Sequence, residues 1–443
     1  MNTPICDFVR RYAEGNPLRL HMPGHKGASL LGCEPWDITE VTGADALYQA
    51  AGIIAESEQN ASELFGVPTF YSTEGSSQCI RAMVLLVRRY AQENRRPPLI
   101  WAARNVHKTF LSAVALSDLQ VEWLYGREEG YLSCKITPED LEISLQSANT
   151  LPAAVYLTSP DYLGNVADVQ KLAEICHRYG VLLAVDNAHG AYLRFLPTPC
   201  HPMDLGADLS CSSAHKTLPV LTGGAYLHLS ADHPSLVKQA KGALDLFGST
   251  SPSYLTLQSL DRANALLEKE FPKALNDFLP AAEQLRQSLT AQGFSLVGEE
   301  PLKLTVATKS YGYLGTQVGE ILENQGIVCE FADPDYVVFM FSPQEKGATE
   351  RLWAALSAIP KKTPLSQRPP AFVPAQRVLP IREALLAPQE TLPVEGCVDR
   401  IVATPSVGCP PAVPILLCGE RFTEAHLELF RYYKVETCNV VLE

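Results

Sequence analysis

Residues 153–190 read AAVYLTSPDYLGNVADVQKLAEICHRYGVLLAVDNAHG, and this stretch decides the fold. Two apolar runs of strand length, 153–158 and 181–185, flank a segment whose apolar residues recur at helical spacing. Gly180 follows that segment, at the position where a glycine ends many helices. A strand, a helix and a strand with short joints form a βαβ unit, and nearly continuous apolar strands are typical of a parallel sheet covered on both faces. The stretch therefore predicts an α/β protein with a mostly parallel sheet.

The same alternation of strands and helices extends along the chain on both sides of this unit. Three more apolar runs have the length of buried strands in the large sheet: 99–103, 209–212 and 225–229. Residues 255–292 are strongly helical, and Pro272 and Pro280 within them should kink or break the helix. Two later apolar runs predict strands of a smaller α+β region: 302–306 and 336–341.

Turn signals and prolines mark the boundaries between regions. Turn-forming pairs such as Pro23-Gly24 are frequent before residue 60, and prolines are dense from residue 360 to 374. We therefore expect four regions along the chain. They are an N-terminal arm (1–60), a large domain (61–265), a small α+β domain (266–360) and a C-terminal segment (361–443).

The composition excludes several classes of protein. The chain has 443 residues, of which 46% are hydrophobic and 19% charged, and a formal net charge of -13, so we expect neither nucleic acid nor a membrane as its partner. No apolar run is long enough to span a membrane, and the charged N-terminal stretch is unlike a signal peptide. The 12 scattered cysteines then indicate reduced thiols and a cytoplasmic protein. His21 and His25 are four residues apart, but Pro23-Gly24 prevents the helix that a zinc pair needs, so we expect no metal site.

Two residues near strand ends have the chemistry of a cofactor site. Asp186 closes an apolar strand, and ligands bind at such strand ends in open α/β sheets. The carboxylate could pair with a protonated ring nitrogen of a cofactor. A helix N-cap is the commoner role of an aspartate in this position. Lys216 ends the hydroxyl-rich turn SCSSAHK (210–216). A desolvated lysine there can form a Schiff base, although a surface lysine is commoner. Lys108 competes with Lys216 for this role, and spacing cannot choose between them.

A helix start and a histidine complete the set. The turn STEGSS (72–77) precedes a helical segment from 78 to about 94. Backbone N–H groups and hydroxyls at a helix start can bind a phosphate, although ordinary capped helices share the pattern. Hydroxyls at Ser212 and Ser213 could hold the phosphate too. His107, at the exit of the strand 99–103, could stack on a flat ring or face solvent. A phosphate turn, a histidine, a strand-end aspartate and a lysine follow one another as in pyridoxal-phosphate enzymes of the aminotransferase-like fold.

Eight segments spread over nearly the whole chain match the pattern of one family. They are LHMPGHKG (20–27), DITE (37–40), RNVHK (104–108), TSPDY (158–162), VDNAHG (185–190), SAHKTLP (213–219), STSPSY (249–254) and CPP (409–411). In these segments the chain resembles the Orn/Lys/Arg decarboxylases, which are fold type I pyridoxal-phosphate enzymes. The resemblance implies an aminotransferase-like large domain that binds pyridoxal 5'-phosphate, a smaller α+β C-terminal region, and a short form without an extra N-terminal domain.

The resemblance also implies a role for each candidate residue. Lys216 would bind the cofactor covalently, which decides between it and Lys108, and Asp186 would pair with the pyridinium nitrogen. His107 would stack on the ring, Ala188 would pack on its opposite face, and Lys216 or His215 would return a proton to the substrate. Further cofactor contacts would come from Gly75, Ser76, Ser77, His189, Ser213 and His215. The family's site lies between two subunits, so a homodimer is implied, in which Thr250 would reach the phosphate of the partner subunit.

The implied activity is decarboxylation of lysine, arginine or ornithine to carbon dioxide and a polyamine-type amine. Two alternatives stay open: another fold type I activity such as an aminotransferase, and a non-catalytic paralogue that binds the cofactor. Possible carboxylate clamps for an aminotransferase are Arg382, Arg400 and Arg421. The chain has Glu74, Asn187, Tyr192 and Ala412 where the family usually has Asn, Glu, His and Gly, and Gly223-Gly224 where bulkier residues are expected. Candidates for binding the far end of the substrate are Trp36, Asp45, Glu74 and Glu420.

Overall fold

The computed structural model describes residues 1–126, 130–405 and 411–442. Its helices are α1 (Pro4–Glu14), α2 (Ile53–Phe65), α3 (Gly75–Glu93), α4 (Lys108–Ser117), α5 (Pro138–Ser147), α6 (Val169–Arg178), α7 (Ala214–Thr217), α8 (Pro234–Asp245), α9 (Tyr254–Gln292), α10 (Gly315–Glu323), α11 (Ala348–Ser357), α12 (Ile381–Leu386) and α13 (Glu424–Tyr432). Its strands are β1 (Thr69–Ser72), β2 (Leu99–Ala103), β3 (Gln120–Leu124), β4 (Ala154–Thr158), β5 (Leu182–Asp186), β6 (Leu209–Ser212), β7 (Ala225–Leu229), β8 (Ser295–Val297), β9 (Lys303–Ala307), β10 (Phe331–Ala332), β11 (Tyr336–Met340), β12 (Gln389–Pro393), β13 (Val402–Thr404) and β14 (Thr437–Val441). None of the helices in these ranges is both long and apolar enough to cross a bilayer.

Seven strands form the large sheet, in the order β1-β7-β6-β5-β4-β2-β3. Neighbouring strands are parallel except where β7 pairs with β1 and with β6. Alternate residues of β2 and β5 belong to two different hydrophobic cores, because successive side chains of a strand point to opposite faces. Both faces of the sheet are therefore covered, and the predicted α/β fold with a mostly parallel sheet is confirmed.

The predicted strands of the large sheet agree with the observed ones to within one residue. The helix after β1 begins earlier than expected, at Gly75, so that Gly75, Ser76 and Ser77 form its first turn and do not precede it. The N-terminal arm also contains the eleven-residue helix α1, which the turn signals did not predict. Gly180 has a φ of +63°, as expected of a glycine just after a helix.

Helix α9 is not broken by its two prolines, so of the two predicted effects only a kink stays a prediction. The helix runs for 39 residues through Pro272 and Pro280. A proline has no N–H group, so the carbonyl group four residues before it in a helix has no hydrogen-bond donor. Those two carbonyl groups belong to Glu268 and Asn276, which are both exposed, so water can replace the missing donor. The buried leucines of α9, which belong to the main core, hold the helix in place.

Two smaller antiparallel sheets follow the large one. Their strand orders are β10-β11-β9-β8 and β12-β14-β13. No helix or strand occurs from residue 360 to 376, in agreement with the predicted extended connector. Arg104, directly after β2, joins the C-terminal region to the large sheet: its guanidinium donates to the carbonyls of Pro414 and Ile415 at 3.1 and 2.9 Å and lies 3.3 Å from Glu420.

Candidate functional site

The candidate site lies at the carboxyl ends of β4, β5 and β6. Asp186 is the last residue of β5, and it is in register with Thr158 on β4 and Cys211 on β6. Because these three strands are parallel, their carboxyl ends meet at one edge of the sheet, where ligands bind in folds of this kind. Lys216 follows β6 by four residues, so the strands bring the two predicted groups to the same edge.

Asp186 is a buried carboxylate with donors on several sides. Tyr156 O–H donates to its Oδ2 at 3.2 Å, and the N–H of Ala188 donates to its Oδ1 at 3.2 Å. The thiol of Cys211 lies 3.5 Å from Oδ1. Burial raises the pKa of Asp186 above its usual value, and the positive charge of Lys216 opposes that rise. A buried carboxylate of this kind gains from a cation placed beside it.

Lys216 lies in the short helix α7, and its amine contacts a second predicted residue. Its Nζ is 3.0 Å from Nε2 of His189, which follows Asp186 by three residues. Lys108, the competing candidate, is an exposed residue at the start of α4. The geometry therefore favours Lys216 over Lys108 as the amine of the site.

His189 is buried and in the neutral form. Burial and then the charges of Lys216 and Lys303 lower the pKa of its imidazole well below the usual value. An ammonium group can only donate, so Nε2 accepts from Lys216 and the ring hydrogen is on Nδ1. That Nδ1 is buried and has no hydrogen-bond partner among the described residues. A buried N–H group without a partner is costly, and this one indicates that a ligand supplies an acceptor.

His107 caps helix α4. Its Nδ1 accepts a hydrogen bond from the N–H of Thr109 at 3.1 Å. Burial, and then the charge of Lys216, lower the pKa of His107 to about 4, so the ring is neutral at physiological pH. The charge of Lys216 acts on the imidazole of His107, so the two side chains are within electrostatic reach of each other at this edge of the sheet.

A polar cup forms where the start of α3 meets the turn after β6. Ser213 Oγ donates to Ser76 Oγ at 2.8 Å, and a Cβ atom added to Gly75 would lie 3.8 Å from Cε1 of His215. Ser77 lies in the same first turn of α3, with its Oγ 3.3 Å from Thr109 Oγ1. Five predicted phosphate contacts are thus gathered at the N-terminus of one long helix, where backbone N–H groups favour an anion. They are Gly75, Ser76, Ser77, Ser213 and His215.

The Gly223-Gly224 pair closes this cup from the other side. The carbonyl of Gly223 accepts from the N–H of Gly75 at 2.7 Å, and the carbonyl of Gly224 lies 2.9 Å from Nδ1 of His215. A Cβ atom on Gly223 would lie 2.6 Å from the Thr73 carbonyl oxygen. The close approach explains why a bulkier residue is absent from this position.

Glu74 directly precedes α3, and its side chain is bound by the turn that contains Thr250. Its Oε1 accepts from the N–H of Ser249 at 2.5 Å. Ser249 and Thr250 are both exposed, so that the turn is accessible from outside the chain. The predicted contact of Thr250 with the phosphate of a partner subunit stays a prediction.

The other residues that differ from the family's usual ones also make specific contacts in the structure. Tyr192 O–H donates to Oε1 of buried Glu300 at 2.6 Å, and Asn187 Nδ2 donates to Ser212 Oγ at 3.1 Å. Ala412 has a φ of +57°, a conformation that the family's glycine adopts at lower cost, and its carbonyl accepts from the N–H of Lys108 at 2.8 Å. The CPP segment was also predicted to matter, but Cys409 and Pro410 lie outside the described residues.

Several substrate candidates are occupied elsewhere. Asp45 accepts from the backbone N–H groups of residues 51, 52 and 54 at the start of α2, and Glu420 is paired with Arg104. The three candidate clamp arginines are also engaged: Arg382 donates to the carbonyl of Ala115, Arg400 is paired with Glu390, and Arg421 donates to the carbonyl of Asp399.

Sequence reasoning missed some residues of the site. Tyr156 is hidden in an apolar strand, but its spacing of two residues from Thr158 puts it on the same face of β4, which could have been used as a signal. Lys303 follows Asp186 by more than a hundred residues, and no local pattern connects the two. Among the described residues, no group of three His, Cys, Asp or Glu side chains could hold a metal ion.

The residues present fit pyridoxal phosphate. The cup offers hydroxyls and helix N–H groups for a phosphate, Asp186 offers a buried carboxylate for a ring N–H, and Lys216 offers an amine. The buried Nδ1 of His189, without a partner among the described residues, offers a donor for an oxygen atom of the same ligand. Each polar part of the cofactor thus has a complementary group at this edge of the sheet.

Comparisons with known proteins agree with this assignment. The model of the major domain of the Orn/Lys/Arg decarboxylase family matches residues 3–300. Two relatives, the uncharacterized protein YaaO of Bacillus subtilis and an arginine decarboxylase of Halalkalibacterium halodurans, are each 30% identical over 97% of this chain and 93% of their own length. The solved lysine decarboxylase LdcF of Francisella novicida has a TM-score of 0.80 at 16% identity, covering 99% of this chain and 81% of that one. An alanine–glyoxylate aminotransferase from Nostoc has a TM-score of 0.55 at 18% identity, covering 68% and 85% of the two chains.

The seven-stranded sheet and the groups gathered at its carboxyl edge define a fold type I pyridoxal-phosphate enzyme. More narrowly, the chain belongs to the Orn/Lys/Arg decarboxylase family. It is therefore a pyridoxal-phosphate-dependent amino-acid decarboxylase, as the resemblance of its motifs implied.

Proposed function

We propose that this enzyme decarboxylates arginine, or failing that lysine or ornithine, to carbon dioxide and a polyamine-type amine. The observation that carries the proposal is the contact of Lys216 Nζ with neutral His189 at 3.0 Å, three residues from the buried carboxylate of Asp186. Arginine comes first because relatives of about 30% identity over nearly the whole chain are named arginine decarboxylases. The likeness to lysine decarboxylases rests on the fold alone.

Asp186 and the cup hold the two ends of the cofactor. When bound, pyridoxal phosphate supplies an aldehyde for the substrate amine and a ring that accepts the electron pair of the broken bond. Asp186 holds a proton on the ring nitrogen, and one pKa unit of that coupling corresponds to about 1.4 kcal/mol. Tyr156 keeps the Asp186 carboxylate in place by its hydrogen bond. Ser76 and Ser213 orient the phosphate from the start of α3 and from the turn after β6.

Lys216 and His189, with His215 next to Lys216 in the chain, are the groups that would handle protons. His189 accepts a hydrogen bond from the Lys216 amine, which fixes the position of that amine. The ammonium group of Lys216, or His215, would donate the proton that the substrate's Cα takes up once carbon dioxide has left. His107 and Ala188 would contact the cofactor's ring and limit the access of water.

We infer that the working unit is a cytoplasmic homodimer. Several leucines of the N-terminal arm are largely exposed, and so much exposed apolar surface in one segment is typical of an interface: Leu18, Leu20, Leu30 and Leu31 are each more than 80% exposed. None of the eleven cysteines of the described residues belongs to a disulfide, as expected in a reducing compartment.

The alternatives receive less support. An aminotransferase keeps the substrate's carboxylate, usually on an arginine, and the three arginines proposed for that task are bound to other parts of the chain. A non-catalytic paralogue would not need a complete set of proton-handling groups around Lys216, and this chain has them.

A product screen tests the proposal. Purified, cofactor-loaded protein is incubated separately with arginine, lysine, ornithine and a neutral amino acid, and both carbon dioxide and keto acids are measured. We expect carbon dioxide and the matching amine from a basic amino acid, with arginine the fastest. Keto acid without carbon dioxide would support the aminotransferase, and no turnover of any amino acid would support the non-catalytic paralogue.

A further inference from the structure

Tyr162 lies between the active-site histidine and the smaller four-stranded sheet. It ends the TSPDY segment, to which no role was assigned, and it is buried. Its ring meets the ring of His189 edge to face, with a centroid distance of 5.4 Å and an interplanar angle of 82°. The Nζ of Lys303 lies 5.7 Å from the centroid of the same Tyr162 ring. Lys303, Tyr162, His189 and Lys216 therefore form one continuous packed row.

The smaller sheet holds Tyr162 at two further points. Its O–H donates to Oε1 of Glu330 at 3.1 Å, and its ring packs edge to face on Phe331 at 5.4 Å. Lys303, at the start of β9, donates to the backbone carbonyl of Asp161 at 3.1 Å. Tyr162 belongs to the loop after β4 in the large sheet. Its position is nevertheless fixed by the smaller sheet, through Lys303 of β9, Phe331 of β10 and Glu330 just before β10.

Lys303 is itself buried as part of an ion pair. Its Nζ is 3.5 Å from Oε2 of Glu300, and both side chains are about 1% exposed. Glu300 also accepts the hydrogen bond from Tyr192, the residue that replaces the family's usual histidine. A buried ion pair is costly to disturb, so it gives Lys303 a fixed place beside Tyr162.

We propose that Tyr162 is a positioning residue, which holds the imidazole of His189 as the hydrogen-bond acceptor for Lys216, and that Lys303 and Glu330 hold Tyr162 from the smaller sheet. The smaller sheet thereby stabilises the hydrogen bond between Lys216 and His189 without contacting the Lys216 amine itself. The role deepens the proposed function, since it matters for turnover only if Lys216 is the amine that reacts.

Other charged and titratable groups also face this row. Those that act on His189 besides Lys216 are Lys303, His107 and His215, and Asp186 acts on Lys216. A change at Tyr162 or at Phe331 alters none of these charges. A shift in the titration of the Lys216 amine in such a variant therefore reports on the position of His189 and not on a lost charge.

The test measures the Lys216 amine directly, in the full-length chain freed of cofactor. Trace acetic anhydride is added at a series of pH values, and acetylation of Lys216 is followed by mass spectrometry of its peptide. Tyr162→Leu removes the ring that packs on His189, so the imidazole is no longer held in place. The ammonium form of Lys216 then loses its hydrogen-bond acceptor, and the midpoint of labelling falls by about one pH unit. Phe331→Ala removes the ring of the smaller sheet that packs on Tyr162 and changes no charge, so the midpoint should fall in this variant too.

Two further variants separate positioning from a general structural role. Tyr162→Phe keeps the ring, so the midpoint of labelling should stay within about 0.3 pH unit of the wild-type value. A shift of that size corresponds to about 0.4 kcal/mol. His189→Leu removes the acceptor and should lower the midpoint as Tyr162→Leu does, and the double variant should add nothing further. Additive shifts, or an unchanged midpoint in Tyr162→Leu beside a shifted one in His189→Leu, would overturn the proposal. If Tyr162→Leu fails to fold, Phe331→Ala decides: an unchanged midpoint in that variant beside a shifted one in His189→Leu would overturn the proposal.

The same experiment keeps this inference apart from the proposed function. Labelling of the cofactor-free chain requires no turnover, so a protein that decarboxylates no amino acid can still show the predicted midpoints. Conversely, active enzyme with unshifted midpoints refutes the role of Tyr162 alone. In the cofactor-loaded chain, the pH titration of the cofactor's absorbance gives a second reading, which we expect to move in Tyr162→Leu and to stay in Tyr162→Phe.

Discussion

At the residue scale, Gly223 shows how tightly the loop after Lys216 packs on the cup. Its φ is +97°, and a Cβ atom there would lie 2.6 Å from the carbonyl oxygen of Thr73. A left-handed conformation costs an ordinary residue about 1–2 kcal/mol, and the close contact with backbone adds to that cost. Only glycine satisfies both conditions without a shift of the loop.

We expect Gly223→Ala to lower the free energy of unfolding by about 2 kcal/mol or more and to weaken cofactor binding. The matched control is Gly242→Ala in α8, where no atom other than the helix's own nearby backbone lies within 4 Å of the added Cβ. Alanine is the better helix former, so the control should gain about 0.5–1 kcal/mol. Urea denaturation of the two variants measures both changes. Equal stabilities would show that the approach of the loop to Thr73 does not constrain position 223.

The residues of the site differ in how well the sequence reveals them. Asp186 and Lys216 could be predicted because Asp186 ends one recognisable strand and Lys216 lies four residues after another, and strand ends gather at one edge of a parallel sheet. The family resemblance was still needed to choose Lys216 over Lys108. Tyr162 and Lys303 could not be paired, because their contact depends on how the smaller sheet packs on the large one.

At the element scale, buried Asp208 joins three elements of the large domain. Its carboxylate lies 3.0 Å from Nε2 of His177 at the end of α6 and 2.8 Å from Nε2 of His233, just before α8, and it accepts from the N–H of Leu183 in β5 at 2.7 Å. The hydrogen bond to Asp208 raises the pKa of His177 above its usual value. Burial raises the pKa of Asp208, but the hydrogen bonds from the two histidines outweigh it, and the pKa is lowered.

The pKa of His177 predicts a pH-dependent contribution to stability. A histidine whose pKa is raised in the folded protein contributes fully below its unfolded pKa of about 6.5, and the contribution is lost as the pH rises through the folded value. We therefore expect His177→Gln to lower the free energy of unfolding most at about pH 6, and less above that. Denaturation curves of the wild type and the variant across this range measure the difference. Adding Asp208→Asn should remove the pH dependence of the difference, and a difference that is constant with pH would contradict this account.

Helix α9 shows what a local rule about proline leaves out. The rule that proline ends a helix counts the lost hydrogen bond, but it omits what the rest of the helix gains from packing. Here the apolar face of α9 is buried in the main core, while the carbonyl groups freed by Pro272 and Pro280 belong to exposed residues. The strands were easier to predict, since a fully buried strand has an apolar run of nearly its own length.

At the scale of the whole molecule, the N-terminal arm leaves much apolar surface uncovered. Leu30 and Leu31 are 83% and 89% exposed, and Leu18 and Leu20 are similar. The arm contains the HMPGHK motif (21–26), so these leucines flank one of the segments that resemble the family. We attribute it to the interface of the proposed homodimer.

We expect the wild type to have twice the mass of the 48.4 kDa chain in light scattering, and Leu30→Glu with Leu31→Glu to shift it towards the monomer. Two buried carboxylates would have no partners in the interface, which is the physical reason for the shift. The control is Leu386→Glu, at an exposed leucine at the end of α12. A monomeric wild type, or a double variant that remains dimeric, would contradict the assignment of the arm to the interface.

The central claim is that the amine of Lys216 binds pyridoxal phosphate at the edge of the sheet where Asp186 ends β5. The most direct measurement is borohydride reduction of the cofactor-loaded chain, followed by digestion and mass spectrometry, because reduction permanently fixes a cofactor joined to a lysine. The account predicts the added mass on Lys216, and its absence when Lys216→Ala is treated in the same way. The added mass on Lys108 or any other lysine, or no fixed cofactor at all in the wild type, would contradict it.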